Sequence, residues 1–281
     1  MPEGDTIFRA TRTLHQALAG KSVTHFESVL PALNRIHEDA PVTGRLVESV
    51  SARGKWNLMQ FSGDLILLTH MLMNGSWHIY RPGERWQKGR SHMRILVGTA
   101  GIIAVAFNVP VAEFHTARSL QRRQGFNSLG EDVLGGEFDI AEVVRSVKAR
   151  PGEEAGNVLL DQRVLAGLGN IFKSEVCFAS GVNPFERIAA LTDDQIATLA
   201  RNSRKLLLAN VRLPGAAALA ENDGFRRTTE YASPAMRLAV YGRNRKPCWR
   251  CGTLIRSRKQ GSGARTTFWC PQCQPVKGSG T

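Results

Sequence analysis

Four cysteines near the end of the chain have the spacing of a metal site. The pattern is Cys248-x2-Cys251, eighteen residues, then Cys270-x2-Cys273. Two Cys-x-x-Cys pairs can complete the closed tetrahedron of thiolates that zinc prefers. Because four thiolates leave no open coordination position, we expect one structural Zn²⁺ that organises the local fold and takes no part in catalysis. The fifth cysteine, Cys177, lies in an apolar helical pattern and is predicted to be buried and inert.

The surroundings of these cysteines are strongly basic. The chain has 37 Lys and Arg against 24 Asp and Glu, a formal net charge of +13, which favours a polyanionic partner such as nucleic acid. No acidic residue follows Glu230, whereas ten basic residues do. The segment between the cysteine pairs, TLIRSRKQ-GSGA-RTTFW, predicts a β-hairpin. Its basic residues, Arg258, Lys259 and Arg265, are suited to contacting phosphates and entering a DNA groove.

A second candidate interface is the segment LLDQRVLAGLGNIFKSEVCFASG at 159–181. It predicts one helix, a turn at Gly167-Leu168-Gly169, and a second helix that opens at Asn170. Asn170 could cap the free backbone N–H groups, and a helix N-terminus attracts phosphate. An ordinary helical hairpin is the alternative, so the segment alone gives only a modest preference for DNA binding.

The elements that must position these motifs fall into two differently patterned halves. Residues 4–19 predict an amphipathic helix that Gly20 ends. From about Val42 to Val109, short strand-like runs separated by glycines predict a β-sandwich. The runs are LVESVS, WNLMQF, LILLTHMLM, WHIY, RILV and IIAVAF. Helical patterns follow, and the boundary is expected near Gly130 to Gly136; the helical stretches are residues 139–149, 157–166, 170–180 and 193–211.

The length of 281 residues favours more than one domain. The longest apolar stretches are too short to span a bilayer, so no membrane partner is expected. Acidic Glu3 and Asp5 stand where a secretory signal would carry positive charge, which argues against export. We therefore expect a cytoplasmic, nucleoid-associated protein. Residues Gly278–Thr281 are predicted to be a flexible end.

Four sequence elements occur in a single order along the chain: MPEG at the start, RGK, LLDQ…AGLGN, and a final RTTFWCPQC. In this order they resemble the formamidopyrimidine-DNA glycosylase and endonuclease VIII family, and the resemblance covers nearly the whole chain. It implies an α+β multidomain protein with an N-terminal catalytic β-sandwich flanked by helices over residues 1–132. A helical domain with a helix-two-turn-helix motif would follow at 133–240, and a zinc ribbon at 241–281. DNA would run across the cleft between the domains.

The resemblance implies a bifunctional DNA glycosylase and abasic-site lyase of base excision repair. Removal of Met1 would expose Pro2 as a secondary amine of the α-amino class, whose reference pKa is about 7.7 to 8.0, so part of it would be neutral and nucleophilic. Attack on C1′ of a damaged nucleotide expels the base and gives a cationic iminium, and β,δ-elimination then cleaves the strand. Glu3 would exchange protons with the opened sugar and Pro2, while Lys55 would place an ammonium near the lesion phosphate or the sugar oxygen. Position alone would favour an inert proline and a surface lysine.

By the same resemblance, Asn170 and Arg265 form a phosphate-binding pair around a flipped nucleotide. The sequence HMLMNG at 70–75 occupies the place of the family's intercalating loop. Leu72 and Met73 are therefore predicted to fill the space left by the extruded base, although a Met-rich run can also be core. The implied partner is damaged DNA, double- or single-stranded, and the protein is expected to be monomeric.

The MPEG terminus favours the endonuclease VIII branch, which excises oxidised pyrimidines. No RRFG-type loop, typical of the 8-oxoguanine branch, occurs between Phe107 and Arg122. Thr6 departs from the family pattern because it replaces a carboxylate. An abasic-site lyase with little glycosylase activity is therefore one alternative, and a non-catalytic zinc-ribbon protein that binds nucleic acid is another.

Overall fold

The structure is a computed structural model that describes residues 2–211 and 226–276. The described residues form two compact units, the first ending at Ser128 and the second beginning at Leu129. The division into three domains at residues 132 and 240 stays a prediction. The expected flexible end, Gly278–Thr281, lies outside the described residues. Among the described helices, none is both long and apolar enough to cross a membrane.

The first unit contains two antiparallel four-stranded sheets and accompanying helices. In chain order its elements are α1 (Gly4–Leu18), β1 (Val23–Ser28), α2 (Pro31–Asp39), β2 (Val47–Arg53), β3 (Trp56–Phe61), β4 (Leu65–His70), β5 (Ser76–Tyr80), β6 (Met93–Thr99), β7 (Ile102–Phe107), β8 (Val111–His115) and α3 (Ala117–Arg122). The sheets have the strand orders β1-β6-β7-β5 and β2-β3-β4-β8. The predicted fold class, an N-terminal β-sandwich flanked by helices, is confirmed.

Helix α1 forms because its apolar residues recur at intervals of three and four. Ile7, Ala10, Leu14 and Leu18 share one face and are buried in the core of the first unit. The helix packs mainly against β2. Nδ1 of the His15 side chain accepts a hydrogen bond from a backbone N–H of β2 at 3.1 Å. Helix α1 is therefore fixed against the sheet whose first hairpin carries Lys55.

The second unit is mainly helical and ends in a hairpin. Its elements are β9 (Glu131–Asp132), α4 (Ile140–Lys148), α5 (Ala155–Leu160), β10 (Leu165–Ala166), α6 (Asn170–Ala179), α7 (Asp193–Val211), β11 (Arg256–Gln260) and β12 (Arg265–Trp269). The helix predicted over 157–166 is wrong, because α5 ends at Leu160. The Asp161 side chain accepts a hydrogen bond from Arg163 N at 3.0 Å, a local turn that competes with helix. The predicted hairpin between the cysteine pairs is confirmed.

Candidate active site and nucleic-acid interface

Pro2 lies directly before α1 and is half-buried. The next residue, Glu3, occupies the N-cap position of the helix and is fully buried. It forms no side-chain capping hydrogen bond. The positive end of the helix dipole nevertheless favours an acidic residue at this place. An acid is thus held beside the predicted amine by the first turn of α1.

The carboxylate that Thr6 replaces is not supplied by its neighbour Asp5. The hydroxyl of Thr6 donates to Asp5 Oδ1 at 3.4 Å. Asp5 is buried, and its Oδ2 lies 3.7 Å from Nη2 of Arg9, which is also buried. Because Asp5 balances a buried cation, its carboxylate is committed to the fold. It does not substitute for the carboxylate that Thr6 replaces.

Lys55 occupies the tight turn between β2 and β3, as its sequence setting predicts. Gly54 before it has a φ of +59°, a left-handed conformation that glycine adopts without strain. Arg53 pairs with Trp56 across the turn. Lys55 itself is half-buried, and its positive charge acts on His70.

His70 is a candidate site residue that sequence reasoning missed. It ends β4 opposite Trp56, and the two rings meet edge to face with centroids 4.7 Å apart. Nδ1 of His70 accepts a hydrogen bond from Leu72 N at 3.0 Å, so the neutral ring carries its proton on Nε2. Burial, followed by the positive charges of Lys55 and Arg123, lowers the pKa of His70 to about 4. His70 is therefore a neutral hydrogen-bond donor close to Lys55 at neutral pH.

The Met-rich segment after His70 is a tight turn, so the strand predicted through residue 73 ends at residue 70. Met71 is buried, whereas Leu72 and Met73 are 48% and 53% exposed. Gly75 N donates to Met71 O at 2.8 Å, and a Cβ on Gly75 would lie 2.6 Å from that oxygen, so the closing position needs glycine. Leu72 has a φ of +47°, which costs a non-glycine residue about 1 kcal/mol. Two exposed apolar side chains are thus held on a constrained turn. Their predicted role, to act as a plug that fills the space left by an extruded base, stays a prediction.

Asn170 opens α6, but its predicted capping role is wrong. Gly169 occupies the N-cap position, and no side chain caps the helix. Instead, Asn170 Nδ2 donates to Thr266 O at 3.0 Å, while its buried Oδ1 has no hydrogen-bond partner in the described part of the chain. Thr266 follows Arg265 in β12. The bond therefore joins the start of α6 to the strand that carries Arg265.

The turns of the LLDQ…AGLGN motif are held by one amide side chain. Gln162 Nε2 donates to Leu160 O and Leu168 O at 2.8 and 3.0 Å. Its Oε1 accepts a hydrogen bond from Gly167 N at 3.0 Å. Because one side chain satisfies backbone groups on both sides of the turns, the motif fixes the direction in which α6 leaves them.

The hairpin of β11 and β12 carries basic side chains at the surface. Arg258 lies with its guanidinium carbon 3.8 Å from the ring centroid of Phe185 and its Nη2 4.0 Å from a carboxylate oxygen of Glu154. Arg258, Lys259 and Arg265 are all exposed. Exposed cations at this place are suited to meeting phosphates.

Buried polar groups anchor the hairpin on α6. Lys173 is fully buried, and its Nζ contacts Thr267 Oγ1 and lies 3.4 Å from Gln260 Oε1. Gln260 Nε2 donates to Pro184 O at 2.7 Å. On α5, a Cβ added to Gly156 would lie 2.5 Å from Gln260 Oε1, so the two elements touch there without space for a side chain. The hairpin is fixed by these contacts at its base.

The carboxylate of Glu175 ties the chain before the hairpin to α6. It accepts hydrogen bonds from three successive backbone N–H groups, those of Ala239 at 2.8 Å, Val240 at 2.9 Å and Tyr241 at 2.8 Å. The hydroxyl of Thr228 also donates to it. Glu175 is 1% exposed, and a buried carboxylate is stable only when donors surround it in this way.

The four predicted metal ligands come together, with their Sγ atoms all within 4.8 Å of one another. The sulfurs of Cys248 and Cys273 are 3.9 Å apart, and those of Cys251 and Cys270 are 3.5 Å apart. Thiolates at ~2.3 Å from a tetrahedral zinc would be separated by about 3.8 Å. The cluster therefore fits one metal ion of this size. Cys177 is fully buried, as predicted, and this burial raises the pKa of its thiol to about 12.

The sequence-predicted residues are divided between the units. The first unit holds the amine, the acid, the lysine and the exposed turn, and the second holds the phosphate-binding candidates and the cysteine cluster. Within each unit the structure shows interactions that the sequence did not reveal. In the first unit the charge of Lys55 acts on His70, and in the second the side chain of Asn170 donates a hydrogen bond to Thr266 O in β12.

Two family profiles match the chain. The formamidopyrimidine-DNA glycosylase N-terminal domain matches residues 1–110, and the formamidopyrimidine-DNA glycosylase H2TH domain matches residues 129–220. A Streptomyces coelicolor protein named Probable endonuclease 8 2 is 40% identical over 98% of this chain and 94% of its own length. The chain belongs to the formamidopyrimidine-DNA glycosylase and endonuclease VIII family. The resemblance carried by its motifs is confirmed.

Further members of the family match over the same extent. DNA-(apurinic or apyrimidinic site) lyase Nei2 of Mycolicibacterium smegmatis is 31% identical over 98% of this chain and 99% of its own length. Endonuclease 8 of Escherichia coli is also 31% identical, over 98% of this chain and 100% of its own. A solved complex of Lactococcus lactis Fpg with abasic-site DNA has a TM-score of 0.81 at 22% identity, covering 97% of this chain and 99% of that one. The chain therefore has the fold of the family in both of its units.

Proposed function

We propose that the protein is a bifunctional DNA glycosylase and abasic-site lyase that removes oxidised bases, oxidised pyrimidines above all, in base excision repair. The observation that carries the proposal is the full-length likeness to relatives named endonuclease 8. The matching N-terminal profile begins at residue 1, so it includes Pro2 and Glu3. A DNA substrate would place the protein at the bacterial nucleoid.

Pro2 supplies the nucleophile once Met1 has been removed. Its neutral nitrogen attacks C1′, and the bond from C1′ to the base breaks with the electron pair leaving on the base. Glu3 exchanges protons with the sugar oxygen and with Pro2, so the ring opens to a cationic iminium. Loss of a C2′ proton then expels the 3′ phosphate, and a second elimination expels the 5′ phosphate.

Lys55 and His70 act on the charged parts of the substrate. The Lys55 ammonium neutralises a phosphate or the developing negative charge on the sugar oxygen. His70 stays neutral because burial and two nearby cations lower its pKa to about 4. It can therefore donate Nε2–H to a phosphate oxygen without taking a proton from the reaction.

The second unit holds the DNA in this proposal. Asn170 and Arg265 bind the backbone on either side of the extruded nucleotide, and Lys259 adds a further phosphate contact. In the first unit, Leu72 and Met73 fill the gap in the base stack. The cysteine cluster holds one Zn²⁺, which braces the hairpin without entering the chemistry. The protein acts as a monomer on damaged DNA.

An abasic-site lyase with little glycosylase activity is the second candidate. A 31% identical relative is named DNA-(apurinic or apyrimidinic site) lyase Nei2. Thr6 offers no carboxylate, and the neighbouring Asp5 is engaged with Arg9. Since departure of an intact base needs proton transfer that an abasic site does not, this loss would affect base removal more than strand cleavage.

The test is borohydride trapping on two duplexes, one containing an abasic site and the other thymine glycol. The protein carries a removable N-terminal tag, so that Pro2 is part of an amide before cleavage and a free amine afterwards. We expect a covalent complex only after tag removal, because only the free amine can form the iminium. Mass spectrometry before each reaction verifies the terminus.

The two substrates separate the candidate functions. Trapping on both duplexes supports the glycosylase, whereas trapping on the abasic duplex alone supports the second candidate. A freed Pro2 terminus that binds both duplexes and traps neither would leave a DNA-binding protein without catalysis. Strand cleavage that persists with the tag in place would exclude Pro2 as the nucleophile.

A further inference from the structure

The sheet β2-β3-β4-β8 has a polar and aromatic face beside the Lys55 turn. The strand register pairs Arg53 with Trp56, Trp56 with His70, and His70 with Val111. Directly paired residues lie on the same face of a sheet, and so do residues two apart along a strand. Glu113, two residues after Val111, therefore shares this face. The opposite face supplies residues to the apolar core.

The segment that follows β8 covers this polar face. The guanidinium carbon of Arg123, directly after α3, lies 4.3 Å from the ring centroid of Trp56. The Phe126 ring meets Trp56 edge to face at 6.4 Å, and the guanidinium carbon of Arg53 lies 5.1 Å from the Phe126 centroid. The residues on both sides of the Gly54-Lys55 turn thus contact this segment, Trp56 through Arg123 and Phe126, and Arg53 through Phe126.

Arg123 is itself fixed in orientation. Its Nε and Nη2 donate to the two carboxylate oxygens of Glu113 at 3.0 and 2.9 Å, the paired geometry that favours arginine over lysine. His115 Nε2 lies 2.8 Å from the same carboxylate. The hydrogen bond from Arg123 is the first cause that lowers the pKa of Glu113 to about 2, so this carboxylate stays ionised at neutral pH.

We infer that Arg123, oriented by Glu113, is a positioning residue for the turn that carries Lys55. It acts through Trp56, which follows Lys55 in the chain, and through the charge that it presents to His70. Its effect on catalysis rests on the proposed function, whereas its effect on His70 does not. The ring of Trp56 and the paired carboxylate restrict Arg123 to one place, and a group restricted in this way can hold a neighbouring turn.

The pKa of His70 is a readout of this arrangement, because several charged groups face its ring. Lys55 approaches from the β2–β3 turn and Arg123 from the segment after α3, and both disfavour a protonated ring. Glu113 lies on the same face of β8, and its Oε2 contacts both Arg123 Nε and His115 Nε2. Removing the charge of Arg123 takes away one of the two cations that disfavour the protonated ring, so the pKa of His70 should rise from about 4 toward its ordinary value.

The test compares three variants of the full-length protein with the wild type. Arg123→Gln removes the charge and the paired geometry, and Arg123→Lys keeps the charge but not the geometry. Arg118→Gln is the matched control, because it removes an exposed arginine from α3 itself. For each protein, NMR gives the pKa of His70, and single-turnover kinetics give the rate of cleavage of an abasic-site duplex. Binding of the same duplex and thermal unfolding are measured alongside.

We expect cleavage by Arg123→Gln to slow about tenfold or more at saturating protein, because small displacements of a catalytic group are costly. Its His70 pKa should rise. Arg123→Lys should keep the His70 pKa near 4 and still cleave slowly, whereas Arg118→Gln should match the wild type in both readouts. A loss caused only by charge would restore cleavage in Arg123→Lys and overturn the positioning role.

The inference is also overturned if Arg123→Gln cleaves as fast as Arg118→Gln and its His70 pKa does not move. If thermal unfolding shows that the Arg123 variants are unfolded, Glu113→Gln tests the same geometry from the partner side. It should slow cleavage while the His70 pKa stays low, and normal cleavage by this folded variant would overturn the inference. Should the wild type fail to cleave or trap any abasic duplex, the proposed function fails, but the His70 titrations still decide whether Arg123 sets the state of that ring.

Discussion

Single residues in this protein carry charge in two ways, either fixed inside the fold or exposed to solvent. Glu175 and Lys173 are buried and bonded to protein groups, so they organise the second unit. Lys259 and Arg265 are exposed on the hairpin. Exposed cations can exchange their association with solution ions for DNA phosphates, and this exchange makes binding sensitive to salt. The proposed contacts with DNA are therefore made by the exposed residues.

Arg265→Ala tests this assignment at one residue. We expect weaker DNA binding and a slope of log affinity against log salt that is reduced by about one unit, because one phosphate contact is lost. Thermal unfolding of each variant is measured alongside, to establish that the protein stays folded. Arg256→Ala, another exposed arginine in the same hairpin, is the control. Equal salt slopes for the two variants would remove Arg265 from the phosphate contacts.

Among secondary-structure elements, those with a clear period could be predicted from sequence. The stripe of apolar residues in α1 marks the side that is buried, and the continuous apolar run of β7 predicts a buried strand, so the existence of both follows from the pattern. In the first unit, four elements were not predicted: β1, α2, β8 and α3. They are short and partly exposed, and contacts distant in sequence stabilise them, such as the pairing of β8 with β4.

The candidate site was predictable only where a motif or a spacing carries it. The cysteine spacing determines the metal cluster, and a tight turn between two strands determines the place of Lys55. His70 was missed because its neighbours become visible only when strands pair. A histidine at the end of an apolar run, directly before the predicted plug, was the available signal. Arg123 and Glu113 gave no signal at all, since ten residues separate them and nothing in their types indicates that they meet.

The turn after β4 yields a prediction about the plug. Leu72→Ser with Met73→Ser should leave thermal stability nearly unchanged, because both side chains are about half exposed. Excision of thymine glycol should slow more than cleavage at an abasic site, since only the former requires an intact base to be held out of the stack. Single-turnover rates on the two duplexes give the ratio. Leu46→Ser, an exposed leucine elsewhere in the first unit, should leave that ratio unaltered.

For the whole molecule, we expect a metal ion in the four-cysteine cluster to stabilise the hairpin independently of the sandwich core. The first unit has its own apolar core, whereas the small cluster around the hairpin includes two of the cysteines. Ligands that are assembled by folding lend their binding free energy to the fold, about 10 kcal/mol or more for structural zinc. Loss of the metal should therefore unfold the hairpin and spare the sandwich.

Removal of the metal by a strong chelator should lower the calorimetric transition of the second unit and leave that of the first in place. DNA affinity should fall, because Arg265 and Lys259 lose their framework. Cys251→Ser should reproduce both effects, whereas Cys177→Ser, at a buried position outside the cluster, should retain the metal by elemental analysis. Metal-free protein with undiminished DNA affinity would contradict the bracing role.

Gly156 shows that a residue outside the proposed catalytic set can matter for repair. An alanine at this position would displace the buried amide of Gln260 and disturb its hydrogen bond to Pro184 O at the base of the hairpin. Under the proposed function, an allele with that change would keep its reactive amine and its metal, yet release damaged strands too readily. In a mutagenesis screen scored by survival, it would be grouped with the catalytic nulls, and only a binding assay would tell them apart.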